Sequence, residues 1–239
     1  VQVYEFADDS WQNRGSITAN DGANSDYFGR SVALARTTDG SLYAFVGASH
    51  DDDGASDTGS AYLYRWENES FQLVQKVTAQ DREESDQLGR AVDLTAGPNN
   101  TLYGIVAAPF VDVGQNSNVG AAYVFTLQNG NFIQSQKLMA EDGAASDEFG
   151  YNAVSIAASG NKVYALVGAP QDDDKGSQSG SAYFFTQEGV GWTQQKIVPA
   201  DGATSDYFGR AVDLGLADTG ALYAAVGVQD DDDLGGGSG

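Results

Sequence analysis

One short stretch recurs four times and governs what this chain can become. It reads SDYFGRSV (Ser25 to Val32), SDQLGRAV (Ser85 to Val92), SDEFGYNAV (Ser146 to Val154) and SDYFGRAV (Ser205 to Val212). Its central glycines are Gly29, Gly89, Gly150 and Gly209, spaced 60, 61 and 59 residues apart. A long period kept over a whole chain marks a repeat architecture, in which each repeat is one supersecondary unit that buries its core against the next. Other landmarks hold the same step. A small-residue pair follows each central glycine (Gly47-Ala48, Ala107-Ala108, Gly168-Ala169, Gly227-Val228), and a glycine opens an aromatic run at Gly59, Gly120 and Gly180.

Each repeat divides into four strand-like pieces. The first follows the central glycine, as in Ser31 to Ala35, and is rich in small residues. The second, for example LYAFVGA (Leu42 to Ala48), is apolar on both alternating faces, so it is expected to be buried on both sides. The third carries the aromatics, as in AYLYRW (Ala61 to Trp66), and the fourth alternates with polar residues, as in FQLVQKV (Phe71 to Val77). Glycine- or asparagine-containing turns such as QNGN (Gln128 to Asn131) join the last two. No window shows helical periodicity. Four strands per repeat with doubly buried middle strands predict an all-β β-propeller of four-stranded antiparallel blades.

The ends are out of phase in a complementary way. Val1 to Phe6 aligns with a third strand and Trp11 to Ile17 with a fourth, while the chain closes with a first strand, a second strand and an acidic loop. The expectation is one domain over residues 1–239, with repeats at about 1–18 plus 200–239, 19–78, 79–139 and 140–199. The N-terminal and C-terminal strands would then close the fourth and last blade. The same halves meeting between molecules would build a head-to-tail assembly, and a fragment would lack further blades.

Together, D-x-F-G-x-x-V, then G-A-P, then an Asp-rich loop, then G-S-A-Y-x-F resembles the FG-GAP repeat family, best known from the head of integrin α subunits. The fullest match runs from Asp147 to Phe185: DEFG, GAP at Gly168 to Pro170, QDDD, then GSAYFF. The resemblance implies a β-propeller, usually seven-bladed and extracellular, that serves adhesion or ligand binding and often holds calcium. Integrin-type repeats place calcium in a D-x-D-x-D-G loop between first and second strands. The matching loops here, RTTDG, AGPNN, ASGNK and LADTG, lack the three acidic ligands, so that site is not carried over.

A different set of loops, after the second strand, concentrates carboxylates: HDDDGASD (His50 to Asp57), QDDDKG (Gln171 to Gly176) and QDDDDLG (Gln229 to Gly235). The second repeat keeps only Asp112. Adjacent carboxylates repel, and a hard cation with oxygen ligands reverses the sign. In extended chain Asp51 and Asp53 point to one side and Asp52 to the other. Asp51, Asp53, Asp57, Asp172, Asp174, Asp231 and Asp233 are therefore the candidate calcium ligands, weighed against a solvated loop held by turn chemistry. The repeated Asp26, Asp86, Asp147 and Asp206 are expected to cap the turn into the inner strand. Asp93 and Asp213 occupy equivalent innermost-strand positions, with Ala33 and Ser155 at the others, and would face each other across a closed ring as channel residues.

Charge and chemistry narrow the function. The net charge is −22, from 34 acidic and 12 basic residues, which disfavours nucleic acid and anionic membrane surfaces as partners. There is no cysteine and no apolar run long enough to span a bilayer. The single histidine, His50, rules out chemistry that needs a pair of them, and no nucleotide-binding or nucleophile-elbow motif occurs. The sequence supports a secreted or cell-surface, non-enzymatic binding or adhesion module for a protein or glycan ligand. A self-assembling structural subunit is the alternative, and a glycan-active enzyme is the third reading.

Overall fold

The computed structural model describes residues 1–189 and 191–231, and its regular structure is almost wholly strand. The first complete four-stranded antiparallel sheet is β3 (Phe28–Arg36), β4 (Leu42–Ala48), β5 (Ser60–Glu67) and β6 (Ser70–Val77). The second is β7 (Val92–Ala96), β8 (Leu102–Ala108), β9 (Ala121–Gln128) and β10 (Asn131–Leu138). The third is β11 (Val154–Ser159), β12 (Lys162–Ala169), β13 (Ser181–Glu188) and β14 (Gly191–Ile197). In each, strands neighbouring in sequence are neighbours in the sheet, and the order read from the 60-residue period is the order observed. The innermost strands β3, β7 and β11 lie side by side and place the three blades face to face.

The remaining strands form two separate two-stranded sheets, β1 (Gln2–Ala7) with β2 (Ser10–Ser16) and β15 (Val212–Leu216) with β16 (Leu222–Val226). The expected closure is not seen here. Among the described residues the two halves do not join into one blade. Each packs on its own neighbour instead: Val1, Val3 and Ile17 against Ala44, Val46 and Tyr62, and Val212, Leu214 and Val226 against Leu166 and Ala182. The cost is visible in exposure. Val32 and Leu34 on β3 and Tyr223 on β16 stay 56%, 65% and 65% exposed, although their counterparts in the interior blades are covered.

Two main apolar clusters lie between successive blades, and β4, β8 and β12 are buried on both faces, as their sequences required. The recurring motif is the device that joins blades. Its backbone docks on the loop of the preceding blade: Leu88 N–H donates to Thr58, Phe149 N–H to Val119 and Phe208 N–H to Ser179, all at 2.9–3.0 Å. Gly59, Gly120 and Gly180 bridge Leu88, Phe149 and Phe208 in parallel. The side chain then turns back onto its own blade, with Phe149 edge-on to Tyr183 at 5.5 Å and Phe28 edge-on to Tyr62 at 5.3 Å. Burying such a ring is worth about 1.5–3 kcal/mol.

The backbone can approach so closely only because of the glycines. A Cβ on Gly59 would stand 2.1 Å from the Leu88 carbonyl oxygen, and one on Gly89 2.2 Å from that of Ser60. Around them the motif holds non-glycine residues in left-handed conformation at Ser25, Ser85, Ser146 and Ser205 and at Tyr27, Gln87, Glu148 and Tyr207. Such backbone is costly and persists only where the surroundings impose it. The motif aspartates supply part of that imposition. Buried Asp26, Asp86, Asp147 and Asp206 accept the N–H of Ala23, Glu83, Ala144 and Ala203 at 2.6–2.7 Å, the cap role expected from sequence.

Candidate functional site

The acidic loops are built around a lysine. Asp51 is buried, and one of its carboxylate oxygens accepts the Ser60 hydroxyl, the Tyr62 hydroxyl at 2.8 Å and the Lys76 ammonium at 2.8 Å. Lys76 also reaches Asp21 at 2.7 Å and Asp53 at 3.5 Å. The third blade repeats the set: Lys196 contacts Asp142 and Asp172 at 2.8 Å and Asp174 at 2.5 Å, and the Tyr183 hydroxyl donates to Asp172 and Asp142. Thus Asp51 with Asp53, and Asp172 with Asp174, do point to one side as alternation requires. The middle carboxylate turns the other way and closes the loop, with Asp52, Asp112 and Asp173 accepting the N–H of Asp57, Asn118 and Gln178.

The ammonium groups govern the titration of these clusters. Partial burial alone would raise the Asp21 and Asp142 carboxyls, but hydrogen bonds from the lysine and the tyrosine outweigh it and hold both below the usual range. Burial alone would likewise lower Lys76 and Lys196, and their carboxylate partners instead raise both above the ordinary lysine value. The donor set therefore does not fit a calcium ion while the lysine is in place, because the oxygens a metal would take already accept the ammonium and the phenol. Among the described residues no group of three or more His, Asp or Glu side chains is arranged to hold a metal ion. Asp57 sits in the return limb of its loop, its carbonyl accepting the N–H of Gln87. Asp231 is the last described residue of the last loop, and Asp233 falls outside the described residues.

Sequence reasoning passed over Lys76, Lys137, Lys196 and their partners Asp21, Asp81 and Asp142. The signal was present, since both sets keep the repeat step. In the second blade Val111 replaces the buried aspartate. Lys137 there holds only Asp81, at 2.6 Å, and the buried Tyr123 hydroxyl has that same carboxylate as its polar neighbour.

Asp93 and Asp213 lie on β7 and β15, on either side of β11. Ser155 Oγ joins them, 3.1 Å from Asp93 Oδ2 and 3.3 Å from Asp213 Oδ1. Burial raises the Asp93 carboxyl, against the N–H groups of Ile156 and Leu94 that favour its charged form. This cluster ties three inner strands together.

A second region gathers residues that the sequence reading did not single out. The residues flanking the Phe-Gly pair of the motif project onto one face. There Tyr151 has the guanidinium carbons of Arg90 and Arg210 at 4.4 and 4.8 Å from its ring centre. Arg90 also lies 5.6 Å from the centre of Phe110. Tyr151, Phe110 and Arg210 border a cleft of about 370 Å³ lined further by Tyr207, Gln171, Gln178, Glu148, Gln229 and Asp230. Arg30 and Arg90 share the adjoining opening with Asn152. Burial and the neighbouring Arg30, against the pull of Tyr151 and Glu148, lower the Arg90 guanidinium from its ordinary value. Among the described residues no carboxylate lies within ion-pair distance of Arg30, Arg90 or Arg210, in a chain with 34 acidic residues. Glu148 Oε2 is buried without a donor, and burial raises its carboxyl despite a hydrogen bond from Gln171.

Stacked four-stranded sheets joined by a repeated D-x-F-G turn define a propeller-like all-β repeat protein. The FG-GAP repeat model matches residues 11–64, 132–185 and 192–239, so the chain belongs to the FG-GAP repeat family. Among curated proteins no sequence matches the chain. Among solved structures, a protein of unknown function from Dyadobacter fermentans DSM 18053 superposes with a TM-score of 0.50 at 10% identity, over 87% of this chain and 65% of its own. A polysaccharide lyase, an ulvan lyase bound to a GlcA(1-4)Rha3S unit, superposes with a TM-score of 0.51 at 9% identity, over 86% of this chain and 50% of its own. Such identities speak for the fold alone, and this chain spans half to two thirds of those proteins.

Proposed function

We propose that this chain is a non-enzymatic binding module that acts outside the cell or at its surface and takes an anionic group of its ligand in the cleft beside Tyr151. The observation that carries this reading is the pair of guanidinium groups, Arg90 and Arg210, set on one aromatic ring with no carboxylate of the described residues within ion-pair distance. Arginine forks match carboxylate, sulfate and phosphate oxygens two at a time. Fixed on a rigid ring they lose little freedom on binding. The cleft volume lies in the range that small ligands occupy. Net charge −22 repels long polyanions at a distance, which favours a ligand with isolated charges over nucleic acid.

Nuclear magnetic resonance of the full chain tests this directly. The side-chain N–H signals of Arg90 and Arg210 are expected to shift saturably on titration with acetate and with sulfate. Signals that do not move in either titration would remove the reading.

The alternative of a self-assembling subunit is supported by the unpaired sheets β1–β2 and β15–β16 and the exposed Val32, Leu34 and Tyr223. It requires assemblies larger than one chain in a sizing experiment. A single species of one-chain mass across concentration leaves the binding module alone.

A further inference from the structure

The geometry points to an acidic sugar, a uronate or a sulfated monosaccharide unit, as the group the Tyr151 cleft accepts; this rests on the anion-binding reading above. Two features of the cleft separate this ligand from an acidic peptide. First, its polar lining is mixed. Gln171, Gln178 and Gln229 line it beside Arg210, and each amide offers both donors and an acceptor, the pattern that neighbouring hydroxyls need. Gln171 and Gln178 are already oriented, with Gln178 Nε2 donating to Gln171 Oε1 at 3.1 Å and the Tyr207 hydroxyl donating to Gln178 Oε1 at 2.8 Å.

Second, one oxygen of a carboxylate in the cleft has no donor, although the group takes a hydrogen bond from Gln171. Glu148 Oε2 is buried and has no donor, and a buried polar atom without a partner is costly to leave so. A sugar presents hydroxyl donors beside its charged group, so it can satisfy Glu148 while its carboxylate or sulfate reaches Arg210. A run of peptide carboxylates brings further negative charge against Glu148 and Asp230, which also lines the cleft. The aromatic rings Phe110 and Tyr207 add apolar walls of the kind that sugar ring faces cover.

Calorimetric titration of the full chain with four probes tests this: a galacturonate trisaccharide, a sulfated galactose oligosaccharide, neutral maltotriose and tetraglutamate. At least one acidic sugar is expected to bind about tenfold or more tighter than maltotriose. Which of the two acidic sugars binds tells uronate from sulfate. Arg210→Gln is expected to reduce that affinity by about tenfold or more with an unchanged melting temperature. Glu148→Gln is expected to weaken the sugar and to leave tetraglutamate unchanged or stronger. Tetraglutamate binding as tightly as the sugars overturns the acidic-sugar inference and leaves the anion-binding reading intact. Maltotriose binding equally, with Arg210→Gln silent, overturns it as well. No binding of any probe, together with unmoved arginine signals, overturns both.

Discussion

The Nζ of Lys76 lies 2.8 Å from a carboxylate oxygen of the buried Asp51. That contact places an internal cation where an Asp-rich loop suggested an external one. Side-chain exposures of 21% and 10% make it far drier than a surface ion pair. Removing one partner of a buried pair costs more than the pair contributes, because the other charge is left without compensation. Lys76→Met is therefore expected to lower stability by about 2–3 kcal/mol. Lys137→Met removes a more exposed contact with Asp81 and is expected to cost about 1 kcal/mol or less. Calcium is expected to leave the melting temperature of the unaltered protein unchanged and to restore part of the loss in Lys76→Met. Melting curves with calcium and with chelator check each variant.

The second blade offers the reverse experiment. Val111 stands where the outer blades have Asp51 and Asp172, whose carboxylates take the equivalent tyrosine hydroxyls. Val111→Asp should find both a phenol and the Lys137 ammonium, as its counterparts do. The expected change is within about 1 kcal/mol, against several for a carboxylate buried alone. In a Lys137→Met background the same change is expected to destabilise by about 3 kcal/mol or more. Denaturant melts of the two single variants and the double variant give the coupling directly.

Much of this was legible beforehand, and the limit has a physical cause. The strands were readable because their apolar pattern is local: Leu42–Ala48 and Leu102–Ala108 fall where the sequence put them. The caps at Asp86 and Asp147 were readable because an aspartate and its turn are three residues apart. The Lys76 cluster joins residues from positions 21, 51, 53 and 76. Only the fold brings those together, although their common repeat step hinted at it. The cleft was hidden for the opposite reason. Arg90 and Arg210 repeat with the motif, but Glu148 and Tyr151 sit at its variable places, and attention to what repeats passes over what differs. Closure is not seen among the described residues: strand phase says that two halves are complementary, not that they meet.

Acid should first strengthen the fold and then weaken it. Burial pushes the Asp86 and Asp147 carboxyls up to about 6, against the backbone N–H that each accepts. The native state then holds more protons than the unfolded chain between about pH 4 and 6, so their contribution is complete below about pH 4 and is lost as pH rises through 6. Asp21, Asp81 and Asp142 have lowered values, and what they contribute above about pH 4 is lost on further acidification. The melting temperature is expected to rise from pH 7 to about 5 and to fall below about 4. Asp147→Asn keeps the acceptor for Ala144 N–H and cannot ionise. It is expected to flatten the rise between pH 7 and 5, as melting temperatures over that range will show.

Blade joining depends on backbone contact rather than on side-chain packing alone, and one pair of glycine substitutions separates the two. Gly89 and Gly130 have similar left-handed φ values, +94° and +82°. A Cβ on Gly130 meets nothing within 4 Å, whereas one on Gly89 meets the Ser60 carbonyl oxygen at 2.2 Å and the Ala48 nitrogen at 2.9 Å. Gly130→Ala therefore carries only the conformational penalty, about 1–2 kcal/mol. Gly89→Ala adds a clash with backbone that cannot rotate away. It must separate the first and second blades at the point where Leu88 N–H donates to Thr58. The expected cost exceeds that of Gly130→Ala by about 3 kcal/mol or more. Hydrogen exchange of Leu88 and Gly89 should quicken in whatever folded protein the variant yields. Equal stability of the two variants would mean that side-chain packing alone holds the blades together.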